Sequence, residues 1–341
     1  MTRRHRDCTV LAAALVAISL IGEHVFAACG AAFCTLSTTP EAAHERLGQI
    51  RFDLSYEYVD QDAPYSGNGR GDGIQQARLP DGDVEIVHRE LNSVGHRLGL
   101  RTSAGIAERV TMEIYVPVVV RSHEHFAFEG SEPEFGKFSF SGVSDITVSG
   151  RYSILAPLDP NAPTLVVGAG FKAPTGSTEK TGRILDADQQ LSLPAERSIQ
   201  LGSGSWDPIL SAYYLQRIGK FSMFVNGTVQ LPTADSGYEF GNEGLANIGA
   251  SYPVLPGFEA ILQFNTRLKG RDRSREESEL FNQNTGGEFL FLTPGIRAQL
   301  GPELAVYSFV QVPVYRHVNG SQLTADWSVS VGLNYVFSGL R

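Results

Sequence analysis

The chain has 341 residues with 28 basic and 37 acidic side chains, a net charge of −9 that disfavours nucleic acid as a partner. It carries 36 Gly but only 3 Met and 3 Cys, a composition that fits strands apolar on one face and polar on the other better than a chain with one large buried core. Length alone would allow two domains, but regular strand signals from Ile50 to the C-terminus argue for one.

Arg3, Arg4 and Arg6 precede an apolar run from Val10 to Ile21, and Val25-Phe26-Ala27 places permissive residues where a signal peptidase would cut, before Ala28. Residues 1–27 therefore read as a signal peptide, whose removal leaves 25 basic and 35 acidic side chains, or −10. That run is too short to span a bilayer, and no other stretch reaches the roughly 18 apolar residues a membrane helix needs. The exported chain is then either soluble or a barrel.

Residues 28–49 read as an N-terminal segment lying across the periplasmic mouth of a barrel or plugging it, with a short helix near Glu41 to Leu47. Cys29 and Cys34 suit a small disulfide loop in an oxidising periplasm, with a lipid anchor on Cys29 as the rival because Phe26-Ala27-Ala28-Cys29 faintly resembles a lipobox. No neighbouring His completes a metal site there, and no Cys-x-x-Cys-His motif offers covalent haem.

From Ile50 the period is two. Ile50, Phe52, Leu54, Tyr56 and Tyr58 alternate with Arg51, Asp53, Ser55 and Glu57. Val94, His96, Leu98 and Leu100 oppose Arg97, Gly99 and Arg101, and Val110, Met112, Ile114, Val116 and Val118 oppose Thr111, Glu113 and Tyr115. Ile146, Val148, Tyr152 and Ile154 oppose Asp145, Thr147, Ser149 and Arg151; Leu165, Val167, Ala169 and Phe171 oppose Gly168, Gly170 and Lys172. Ile209 to Leu215 is a strand in which either face suits the outside. Segments from Phe221 to Leu231, Leu245 to Val254, Phe258 to Arg267, Phe289 to Leu300 and Leu304 to Tyr315 follow. In the last strand Trp327, Val329, Val331, Leu333, Tyr335 and Phe337 are separated by small or polar residues. Tyr335-Val336-Phe337 is the kind of aromatic phrase that closes many outer-membrane barrels, here followed by four more residues.

The fold expected is all-β, an antiparallel transmembrane β-barrel of the Gram-negative outer membrane with about 12 strands over residues 50–341. Long polar connections at 60–84, 121–142, 174–200, 232–243 and 270–287 alternate with brief joints, as outer loops and periplasmic turns must. A soluble sandwich or propeller has no reason for this order.

Three phrases, Arg51-Phe52-Asp53-Leu54-Ser55-Tyr56-Glu57-Tyr58, Gly170-Phe171-Lys172-Ala173-Pro174-Thr175-Gly176, and Val310-Gln311-Val312-Pro313-Val314-Tyr315 before Asn319-Gly320, resemble the outer-membrane barrels grouped with phenol meta-cleavage pathway transporters. The likeness covers most of the mature chain; it implies a barrel and transport of small organic molecules.

The expected inward face carries Arg51, Arg97, Arg101, Arg151, Lys172, Arg267 and Arg297 with Asp53, Glu57, Glu113, Asp145, Glu259 and Asp326, together with Tyr115, Tyr307 and Tyr315. Mixed charges on a barrel wall serve either an ion-paired conduit or salt bridges that fill the interior. Tyr56, Tyr58, Tyr152, Phe221, Phe264, Trp327 and Tyr335 suit interfacial girdles. His123-Glu124-His125 with Glu129, Glu132 and Glu134 offers Zn or Cu donors but reads as a solvated acidic loop, so no metal site is expected. His96 sits on the apolar face and His88 near a strand entrance, and no Ser pairs with either in the manner of a hydrolase dyad.

The function expected is passive diffusion of small organic or aromatic solutes, with no catalytic residue and no cofactor. Its partners would be outer-membrane lipid, the solutes and the outer-membrane assembly machinery. The alternative is a barrel closed by its own side chains or N-terminus, acting as scaffold or sheath for a periplasmic or extracellular partner, with an outer-membrane hydrolase as a third reading.

Overall fold

The computed structural model describes residues 45–78, 84–129, 132–156, 159, 161–185, 190–274 and 282–338. The expected signal peptide and the disulfide expected between Cys29 and Cys34 lie outside these residues. Twelve strands form the barrel: β1 (Gln49–Gln61), β2 (Val84–Ala107), β3 (Val110–Glu129), β4 (Ile146–Leu155), β5 (Thr164–Ala173), β6 (Asp207–Ile218), β7 (Phe221–Gln230), β8 (Glu243–Leu255), β9 (Phe258–Lys269), β10 (Gly287–Gln299), β11 (Leu304–Thr324) and β12 (Ser328–Ser338). Each pairs antiparallel with the next. β12 returns to pair with β1 from Gln49↔Ser338 to Val59↔Ser328, so no edge is left to expose unpaired backbone to lipid.

The outward face is apolar. Leu98, Ile114, Ile248, Leu262, Phe264 and Val310 are each more than 40 % exposed, a patch far larger than a soluble monomer shows and one that hydrocarbon accommodates. At one rim Tyr58 packs on Trp327 and His96, at 5.6 and 5.2 Å between ring centres, and at the other Phe221 packs on Tyr252 at 4.9 Å. Trp327 and Phe337 lie at the two ends of β12, roughly 34 Å apart along the chain at about 3.4 Å per residue, which a tilt of about 40° reduces to the height of a bilayer core. This is an outer-membrane β-barrel.

Two features depart from the period-two reading. The segment 121–142 is not a polar loop. β3 continues through Glu129 and pairs with a further strand, Glu132–Val143, so that a long hairpin carries the wall beyond the rim girdle. Phe126 pairs with Phe135 across it, and Phe138 and Phe140 pair with the buried His123 and Arg121, rings on both faces that the charge count obscures. The second departure is a β-bulge where β10 meets β11: Leu290 pairs with Tyr315 but Phe291 with Pro313. An extra residue inverts every side chain beyond it.

Inside, Leu215, Phe224, Ile261, Tyr307 and Phe309 form a buried cluster. Each inward ring has a glycine opposite it: Phe224 faces Gly249, Phe309 faces Gly295 and Tyr307 faces Gly332. A Cβ at any of these glycines would collide with the ring it faces, so part of the chain's glycine content is the space that lets aromatic side chains lie flat on the inner wall.

Candidate functional site in the barrel lumen

The lumen holds a cavity of about 480 Å³ lined by β1 to β8, by Lys269 and by part of the connection between β5 and β6. Eight of its lining residues are basic and six acidic, a net positive interior in a chain whose overall charge is −9.

Alternation on β1 to β5 puts the charges in register. Glu113 on β3 accepts from Arg101 of β2 at 2.6 Å and meets Arg151 of β4 at 3.2 Å. Arg97 donates to Glu57 at 2.5 Å, and the Arg101 guanidinium lies 4.8 Å from the centre of the Tyr115 ring. Asp53 accepts from Tyr307 at 2.8 Å and from Asn334 at 3.3 Å. Near the outer mouth Lys172 bridges Asp207 at 2.6 Å and Asp145 at 3.3 Å. At the opposite mouth Glu45, wholly buried, accepts from Arg51 at 2.9 Å and from Arg151 at 3.2 Å.

The connection between β5 and β6 folds inward over the cavity. Arg121 donates to the Ile199 carbonyl at 2.7 Å, Leu201 packs against Val59 and Val119, and Ser203 gives both its N–H and its hydroxyl to Asp145, at 2.8 and 2.7 Å. Arg197 reaches Asp235 at 2.7 Å.

Of the inward residues expected from alternation, Arg51, Asp53, Glu57, Arg97, Arg101, Glu113, Tyr115, Asp145, Arg151 and Lys172 line this cavity. Tyr307 is buried beside Asp53, Arg267 pairs with Glu243 at 2.8 Å, and Glu259 pairs with Arg297 at 3.6 Å. Two stand elsewhere. Tyr315 lies beyond the bulge and is turned outward, 43 % exposed, and Arg316 takes the inward place. Asp326 sits in the connection between β11 and β12 rather than on the wall, held by Arg316 at 2.8 Å and Arg70 at 2.6 Å.

Sequence reasoning missed Glu45, Arg121, Arg197, Asp207, Glu243 and Lys269. Most lie before a strand, at its end or in a connection, where no alternation marks the inward direction. Arg121 and Lys269 are the exceptions, since Arg121 continues the inward phase of Glu113, Tyr115 and Val119 on β3 and Lys269 that of Gln263, Asn265 and Arg267 on β9.

His96, considered above for a hydrolase, meets the Tyr56 hydroxyl at 2.8 Å on the lipid-facing side. His123 and His125 are not in a solvated loop but buried, 3 and 4 % exposed, on the inner side of the extended hairpin beside His88 and Glu90. Burial opposes the charged ring at both His88 and His125. At His88 the Glu90 and Glu196 carboxylates outweigh it and raise the value to about 9, whereas at His125 burial is joined by the charges of His88 and His123, pushing it down to about 3.

No known family profile matches the chain, nor does any curated protein sequence. Solved structures do. The COG4313 outer membrane channel from Pseudomonas putida F1 superposes with a TM-score of 0.59 at 15 % identity, covering 88 % of this chain and 100 % of that one. The transport unit of the autotransporter AIDA-I from Escherichia coli gives 0.48 at 11 % identity over 86 % of this chain and 92 % of that one. A Pseudomonas aeruginosa FadL homologue gives 0.45 at 11 % identity over 91 % of this chain and 96 % of that one. At these identities the likeness is one of fold: an outer-membrane barrel.

Proposed function

We propose that this protein is a passive outer-membrane channel for small organic solutes, with anionic, carboxylate-bearing ones favoured. The observation that carries the reading is the cavity of about 480 Å³ within a closed transmembrane barrel, lined by eight basic and six acidic residues set in facing ladders. Opposed charges at the wall orient a permeating dipole, and a surplus of guanidinium and ammonium groups lowers the cost of bringing an anion out of water. The fold likeness to a structure described as an outer-membrane channel is consistent with this, as is the resemblance of three segments to transporters of an aromatic pathway. The partners on this reading are outer-membrane lipid, the permeating solute and the assembly machinery that reads Tyr335-Val336-Phe337.

Glu45 favours a second reading. Glu45, buried inside the periplasmic mouth, is pinned by Arg51 and Arg151, and this anchor supports reading the N-terminal segment as a plug. That would make the barrel closed at rest, or a scaffold for a partner. Single-channel conductance of the mature protein in a planar bilayer, with and without residues 28–44, separates the two. Steady, anion-preferring current from the intact protein supports the channel. Current only after deletion supports a plug, and silence from both excludes diffusion through the barrel.

A further inference from the structure

Beyond the girdle, eight residues up β2 from His96, a cluster of imidazoles and carboxylates is assembled from three distant parts of the chain. β2 supplies His88 and Glu90, β3 supplies His123 and His125, and the inward connection between β5 and β6 supplies Glu196. One donor atom from each of His88, His125 and Glu196 lies within 4.8 Å of the others.

The second nitrogen of each of the two rings is already spoken for. His88 Nε2 faces Glu90 at 3.4 Å, and His125 Nδ1 faces His123 Nε2 at 3.1 Å. His88 Nδ1, 3.9 Å from Glu196, and His125 Nε2 are thus the ring nitrogens left to serve as donors. Outer partners that set tautomer and ring orientation in this way accompany metal-ligating histidines. Gly136 lies beside His125 Nε2, where any Cβ would clash with the ring. The pocket is also not fully satisfied: Glu90 Oε2, 3.4 Å from His123 Nε2, and His123 Nδ1 are buried and make no hydrogen bond.

Glu90 and Glu196, 13 and 22 % exposed among the imidazoles, have little water to stabilise their charge, and a divalent cation would stabilise it. Two imidazole nitrogens and one carboxylate, with a fourth position left for water or Glu90, is a donor set suited to zinc and its first-row neighbours, which bind such ligands at about 2.0–2.2 Å.

We propose that His88, His125 and Glu196 form a binding site for a divalent transition-metal ion, backed by Glu90 and His123, and that the bound ion staples the inward connection to the barrel wall. The same connection contributes Arg197, Gln200 and Leu201 to the lining of the lumenal cavity, so the ion would fix the roof of that cavity.

The full-length mature protein, folded in detergent and stripped with a chelator, is titrated with Zn²⁺ by calorimetry and with Co²⁺ by visible absorption. One tight site per chain is expected, with the intense absorption of a low-coordinate Co²⁺ complex. Affinity should fall at least tenfold in H88A and in H125A and stay unchanged in Glu124→Gln, a carboxylate outside the cluster. Retained heat-modifiable migration shows that the variants still fold, and the Co²⁺ spectrum of the unmodified protein tests the ligand set without any variant. A weak, octahedral-type spectrum, or binding equally strong in H88A/H125A, would overturn the site. Trypsin cleavage after Arg197 tests the staple: Zn²⁺ should slow it about tenfold in the unmodified protein and not in H125A. Equal cleavage with and without metal would overturn the staple. None of these readouts depends on whether the barrel conducts.

Discussion

The wall from β1 to β5 and the wall from β9 to β12 belong to one barrel but fill their shares of the interior by opposite means. The first presents charges in facing pairs, Arg97 with Glu57, Arg101 and Arg151 with Glu113, Lys172 with Asp145, and it borders the open cavity. The second, with Glu259, Arg267, Lys269, Arg297 and Arg316 as exceptions, presents amides, hydroxyls and rings. Asn265 donates to Asn247 at 2.7 Å and accepts from Thr293 at 2.5 Å, while Phe309 and Ile261 pack at the centre of the buried cluster. Neutral groups pack to contact and leave little room. Facing ion pairs hold long side chains against the wall, so a lumen survives between them. The contrast shows that a barrel of this size can be closed on one side and open on the other without changing its strand geometry.

Breaking the charged side should cost most. Glu113→Ala removes the carboxylate that Arg101 pairs with and one of the two that hold Arg151, which keeps Glu45, and should destabilise the folded barrel by about 3 kcal/mol, read from urea unfolding of the heat-modifiable form. Loss of less than 1 kcal/mol would mean that the pairs are already water-screened. On the neutral side Asn265→Ala leaves amide partners unpaired and should cost about 1–3 kcal/mol by the same measurement.

The electrical contrast comes next. R97Q/R101Q should reduce anion preference a few-fold in reversal-potential measurements, whereas Gln263→Glu, deep in the packed wall, should shift it much less because ions do not pass there. An equal shift from both would erase the distinction between the two walls. Tyr115→Ala should widen the conductance, while Tyr315→Ala, on the outer face, should leave it unchanged and alter stability by no more than about 0.5 kcal/mol.

The smallest effect concerns Asp326. Its hydrogen bond from Arg316 and the neighbouring Arg70 hold its carboxyl below the ordinary 3.8. The tie between these groups is therefore fully formed above that value and is lost as pH falls through the lower folded value. Faster amide exchange of residues 325–327 in acid, absent in Asp326→Asn, would show it.

Alternation sufficed for all twelve strands because a membrane barrel must turn apolar groups to lipid and polar groups inward at every second residue. Even β6, ambiguous in the sequence, explains itself: Leu210 points outward, while on the inner face Ile209 lines the cavity and Leu215 joins the buried cluster, so the strand is apolar on both faces. The same period failed at Tyr315, since a single inserted residue reverses the phase and nothing in Val314-Tyr315-Arg316 announces it. It failed again at His123 and His125, where glutamates suggested a solvated loop and the phenylalanines on the paired strand went unweighed.

The sequence by itself therefore determined compartment, strand number, the lipid-facing side and most of the charged lumen wall, because each of these follows from local period and from the solvent on either side. Tertiary structure alone decided which charges pair, where the cavity lies, and that His88, His125 and Glu196, parted by up to 108 positions, share one pocket. Those outcomes depend on strand register and on the path of an inward-folded connection, and both are set by packing across the barrel rather than by any neighbour in the chain.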